Sequence, residues 1–130
     1  MKSLWTPLLV VVSVAAFAAD KVDPSKLPAA AKKEGVTYAK DIKPLFDKSC
    51  IKCHGEEKQK GKLRLDSLEW ILKGADGEDI VNKGKSADSE LVHSIARVNE
   101  DEAMPPEGKG DPLTKEQVGL VRAWIDQGAK

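Results

Sequence analysis

The sequence predicts a small all-α domain: about four short helices joined by long irregular loops. Three observations carry this. Apolar residues recur at three- and four-residue spacing in four separate stretches. The segments between them are rich in Gly, Asp and Pro, and no two alternating segments offer a hairpin. The length of 130 residues suits one domain plus a processed leader.

Residues 1–18 read as a secretory signal peptide. Lys2 gives a positive start, Leu8 to Phe17 an apolar run, and Ala16-Phe17-Ala18 an A-x-A cleavage site. The run falls short of the roughly 20 residues that span a bilayer. The expected location is therefore periplasmic or secreted, with no integral membrane segment left after cleavage. Residues 19–35 carry Ala, Lys, Asp and Pro with almost no large apolar side chain, and read as a flexible N-terminal linker. The domain proper is expected over 36–130.

Within it, Tyr38, Ile42, Leu45 and Phe46 share one helical face. Pro44 suits a first turn, so the spacing predicts a helix from about Asp41 to Ser49. Leu63-Arg64-Leu65 alternates and reads as extended. Asp66 or Ser67 can cap a helix through Leu68, Trp70, Ile71 and Leu72 that Gly74 stops. A loop over 74–87 leads to a helix over 88–98 bearing Leu91, Val92, Ile95 and Val98. A second loop, 99–112, holds Met104-Pro105-Pro106. Thr114-Lys115-Glu116-Gln117 resembles a capping box and opens a helix with Val118, Val121, Trp124 and Ile125 on one face, closed by Gly128. Trp70 and Trp124 are both expected in the core.

Composition excludes several classes. With 21 basic and 21 acidic residues the chain lacks the cationic surplus of a general nucleic-acid binder. Two cysteines cannot build a disulfide-dense scaffold. What they do form is Cys50-Ile51-Lys52-Cys53-His54, a C-x-x-C-H motif, the attachment signature of c-type haem. Two thiols one turn apart can add to the two vinyl groups of one haem, and the histidine after the second then lies beneath the iron. Attachment is made outside the cytoplasm, in agreement with the leader. A thioredoxin-like dithiol lacks a surrounding βαβ pattern. A zinc site lacks a second ligand pair, and a plain disulfide would leave His54 without a task. The cofactor reading is one covalently bound haem c per chain.

The second axial ligand follows by elimination. Beyond His54, the chain after the leader offers His93 and Met104 as its remaining histidine and methionine. His93 falls nearly opposite the Leu91–Ile95–Val98 face and reads as a surface side chain. Met104 sits among Glu100, Asp101, Glu102 and Glu107, where an apolar residue has no periodic pattern to serve, and two prolines stiffen the loop behind it. Met104 is the expected distal ligand, with His93, a lysine or an open position as the alternatives. A His/Met pair raises the reduction potential and fills the coordination sphere. That favours electron transfer over catalysis, so no enzymatic activity is expected.

These motifs identify a resemblance. Asp41-Ile42-Lys43-Pro44-Leu45-Phe46, Cys50 to Gly55, Gly61 to Asp66, Ser89-Glu90-Leu91, Met104-Pro105-Pro106, and Leu113-Thr114 through Trp124-Ile125-Asp126-Gln127-Gly128-Ala129 together resemble the cytochrome c domain typical of planctomycetes and verrucomicrobia. It is a branch of the small cytochrome c fold. The resemblance implies haem c on Cys50 and Cys53, axial His54 and Met104, and first and last helices crossing beside the haem. Leu45 and Phe46 would then meet Val121 and Trp124. Such domains are often fused to larger modules, whose activities do not carry over.

Charge is unevenly laid out. Residues 40–64 hold eight basic and four acidic side chains, and residues 66–111 five basic and twelve acidic. On the expected fold the lysines surround the attachment side of the haem, and Arg64 is a candidate partner for a haem propionate. The functional expectation is an exported mono-haem cytochrome passing single electrons between redox protein partners. The alternatives are a haem sensor or enzyme with a displaceable distal ligand, and a haem-stabilised module of a larger complex.

Overall fold

The computed structural model describes residues 21–130, so the signal-peptide reading at 1–18 lies outside the described residues. Four α-helices are present among them: α1 (Lys43–Ser49), α2 (Leu68–Lys73), α3 (Glu90–Ile95) and α4 (Lys115–Asp126). Short 3-10 turns and irregular chain connect them, and no strand longer than an isolated bridge occurs there. The fold is small and all-α, as the spacing predicts.

The longest helix, α4, is the spine. Its capping box is present as read: the Thr114 hydroxyl accepts from the Gln117 amide at 3.2 Å, and the Thr114 amide donates to the Gln117 side chain at 2.8 Å. Those two bonds satisfy amides that the first turn leaves without partners. Val118, Val121, Trp124 and Ile125 are all buried along one side. Beyond the helix, the carbonyl of Lys130 accepts from the Trp124 indole at 3.0 Å and from the Tyr38 amide at 2.7 Å. The Tyr38 and Trp124 rings lie 6.1 Å apart, tilted by 43°.

The N-terminal helical run starts earlier than expected. Tyr38–Ile42 forms a π-helical turn, capped by the Thr37 hydroxyl, which accepts from the Lys40 amide, and α1 follows at Lys43 with Pro44 in its first turn. The contact with α4 is centred on this turn, where the Tyr38 ring meets Trp124, rather than on Leu45. Phe46 joins Val121 and Trp124 in the same buried core, as the resemblance implies, whereas Leu45 stays half-buried.

Two expectations are corrected. Residues 21–35, expected as a mobile linker, lie docked along α4. The Ala31 amide donates to the Gly119 carbonyl (2.9 Å), Arg122 donates to the Pro28 carbonyl (2.6 Å) and Gln127 to the Lys33 carbonyl (2.7 Å), with Leu27 buried. The docking is made chiefly by backbone carbonyls, so a stretch with few apolar side chains still has partners. Trp70 is not in the core. It is 38% exposed, with the Arg64 guanidinium 4.6 Å above one face and the Lys73 ammonium 4.4 Å from the ring. Cation–π contacts of this kind stabilise an exposed ring that burial does not.

Gly119 is explained by the docked segment. A β-carbon there would lie 2.5 Å from the Ala29 carbonyl oxygen. In an exposed helix Ala would gain about 1 kcal/mol over Gly. Here the forced backbone shift outweighs it, since overpacking costs about 1–3 kcal/mol. Gly119→Ala is expected to lower the thermal midpoint, where helix propensity taken in isolation predicts a rise. Calorimetry on the two proteins decides between them.

Candidate functional site

The C-x-x-C-H segment leaves the end of α1. The Cys50 amide still donates to the Phe46 carbonyl (2.8 Å), and the Cys53 and His54 amides both fold back onto the Cys50 carbonyl at 3.2 and 3.0 Å. This tight turn sets the two sulfurs on one side. The next two bonds, Lys60 amide to Cys53 carbonyl (2.8 Å) and Leu65 amide to His54 carbonyl (2.7 Å), tie the motif to the extended Leu63–Leu65 strip. Gly55 closes the turn, because a β-carbon there would lie 2.5 Å from the Ile51 carbonyl oxygen.

Cys50, Cys53, His54 and Met104 all line one cavity of about 330 Å³. Its walls are mainly aliphatic: Leu63 and Leu65 from the extended strip, Leu91 and Ile95 from α3, Ile80 and Leu113 from the loops. The helical face read at Leu91 and Ile95 therefore serves as cavity wall as well as core. The roles of Ile80 and Leu113 were not legible, since each stands in irregular chain without a period to mark it. Both cysteines are free thiols. Burial pushes the Cys50 thiol up to about 12, so it is held protonated. Burial also lowers His54 below its ordinary value, with the Lys60 and Leu63 backbones pulling the other way, which keeps the ring neutral and its lone pair available. The His54 Nδ1 atom is buried and has no hydrogen-bond partner.

Met104 is 36% exposed at the cavity edge, and its amide donates to the Ser94 carbonyl (2.9 Å). His93 is not among the lining residues. It is half-buried rather than a free surface side chain, with Nε2 2.6 Å from the Ala87 carbonyl. Arg64 does not stand free for a propionate: its Nε and terminal nitrogen pair with both oxygens of Asp66 at 2.9 and 2.6 Å. The rim of the cavity carries Lys48, Lys52, Lys60 and Lys109 against one carboxylate, Glu90. Three of these lysines come from the basic segment as read, while Lys109 comes from the acidic half.

Residues 50–108 match the model of the planctomycete cytochrome C family. This stretch is a planctomycete-type cytochrome c domain. The family implies haem c, and the donor set fits it: two free thiols in one turn and a neutral imidazole, on an apolar cavity. Among solved structures, Kuenenia stuttgartiensis hydrazine synthase is similar to this cytochrome domain at 22% identity, with a TM-score of 0.50 over 72% of this chain. The match spans 16% of that protein's chain, and at this identity the likeness is one of fold. No curated protein matches the chain.

The Arg64–Asp66 pair sets a pH dependence. Its hydrogen bond holds the Asp66 carboxyl below its ordinary value of 3.8. A depressed carboxylate stabilises the fold above its unfolded value, and that contribution is lost as pH falls through the folded one. The pair is partly exposed, so the effect is screened. Asp66→Asn is expected to cost under about 1 kcal/mol at neutral pH. In denaturant titrations the gap between variant and parent closes as the solution is acidified below pH 3.8.

Proposed function

We propose that this chain is an exported mono-haem c-type cytochrome that passes single electrons between redox proteins. In this reading Cys50 and Cys53 hold the haem through thioether bonds, His54 is its proximal ligand and Met104 its distal ligand. One observation supports it above the others: two thiols, an imidazole and a thioether share the wall of a single apolar cavity. When bound, haem c supplies a reversible ferric–ferrous couple.

The chain's own residues do the rest. Cys50 and Cys53 would hold the haem as thioethers, each S–H adding across one vinyl group with sulfur to one carbon and the proton to the other. The neutral His54 ring, kept so by burial, offers a nitrogen lone pair. As distal ligand the Met104 thioether would favour the ferrous state and raise the potential. Leu63, Leu65, Leu91 and Ile95 exclude water and so reduce the reorganisation that accompanies a change of charge. Export agrees with the leader read at 1–18, and among the described residues no helix is long and apolar enough to cross a membrane.

A second reading, a sensor or enzyme with a displaceable distal position, draws support from the exposure of Met104 at the cavity edge. Spectroscopy separates the two. The electron-carrier reading expects a far-red methionine–iron band in the oxidised protein and slow carbon monoxide binding to the reduced one. Met104→Ala abolishes the band and opens the site to carbon monoxide. A parent protein without the band that binds carbon monoxide at once supports the second reading and overturns the first.

A further inference from the structure

Helix α3 ends in a Schellman motif built on an unusual residue. The Val98 amide donates to the His93 carbonyl (3.4 Å) and the Arg97 amide to the Ser94 carbonyl (3.1 Å). The position after the C-cap must then be left-handed, which is why glycine usually holds it. Here it is Arg97, at φ +57°. An L-residue with a long side chain is strained in that region, and Gly would satisfy the turn without strain.

The side chain is what the glycine would lack. The Arg97 guanidinium donates to the carbonyl of Pro105, the residue immediately after Met104. Pro105 and Pro106 have no amide hydrogen to anchor the chain, so the carbonyl is the polar handle the loop offers there. On its other side Met104 is held by its own amide, bonded to the Ser94 carbonyl at 2.9 Å. Both holds come from the end of α3. No ion pair among the described residues includes Arg97, although Glu100, Asp101 and Glu102 are close in sequence. Its charge is directed to the loop carbonyl.

We infer that Arg97 is a positioning residue for the distal ligand: its guanidinium straps the Met104–Pro105 segment to α3 and keeps the thioether on the cavity wall. The inference rests on Met104 being that ligand. A charged hydrogen bond of this kind shifts a loop between closed and open states by about tenfold or more.

The experiment uses the haem-loaded protein and Arg97→Gly, which relieves the backbone while removing the strap. Arg97→Asn, which also tolerates the left-handed region, serves as a second variant, and Arg97→Lys restores the charge. The expected result is a thermal midpoint for Arg97→Gly at or above the parent's. Its far-red band weakens and cyanide displaces the ligand from the oxidised protein about tenfold faster or more. Arg97→Asn behaves likewise, and Arg97→Lys recovers part of the loss. An Arg97→Gly protein with the parent's band and cyanide rate overturns the strap, leaving Arg97 a helix-end residue. The Met104→Ala variant, run alongside, keeps the two claims apart: if it leaves the parent spectrum unchanged, the ligand assignment fails and the strap falls with it.

Discussion

The fold is organised around an apolar cavity that its own side chains do not fill. Leu63, Leu65, Ile80, Leu91, Ile95 and Leu113 turn toward it from four different parts of the chain. Apolar lining left against water costs roughly 25 cal/mol per Å² relative to the same surface buried. A planar, largely apolar group bound there would instead extend the core, and the family to which residues 50–108 match implies such a group in haem c. The shortage of aromatic residues, two Phe, one Tyr and three Trp in the whole chain, becomes intelligible on those terms.

Everything else serves to hold the walls apart and in register. Helix α4 anchors three elements at once. Its Trp124 meets Tyr38, Arg122 and Asp126 fix the Ser86 turn through bonds of 2.8 to 3.0 Å, and Gly119 admits the 21–35 segment to backbone contact. With that frame fixed, α1 delivers the two cysteines and His54 at its end, and α3 holds the loop that carries Met104. The two cysteines and His54 thus reach the cavity from one part of the chain and Met104 from another, and the rim is dominated by lysines.

What was legible in the sequence is what local chemistry dictates. The C-x-x-C-H spacing is a covalent requirement contained in five residues. The α4 capping box is a four-residue exchange of hydrogen bonds, and the apolar faces of α3 and α4 follow helical period. Features made by distant backbone groups were not legible. The 21–35 segment docks through the carbonyls of Pro28 and Lys33, which carry no side-chain signature. Trp70 was misplaced in the core because its partners, Arg64 and Lys73, are charged, and a hydrophobic pattern does not register them. Arg97 at a position that suits glycine was hidden for the opposite reason: the local rule is broken there, and the contact with Pro105 that accompanies it lies across a loop.

On the proposed reading the cavity holds a haem fastened to Cys50 and Cys53. Mass spectrometry of the purified protein, denatured and digested, tests it most directly. Haem is expected to survive denaturation on the chain and to map to a single peptide containing both cysteines as thioethers. Haem that extracts freely into acidified solvent, or a Cys50–Cys53 disulfide in its place, would contradict it.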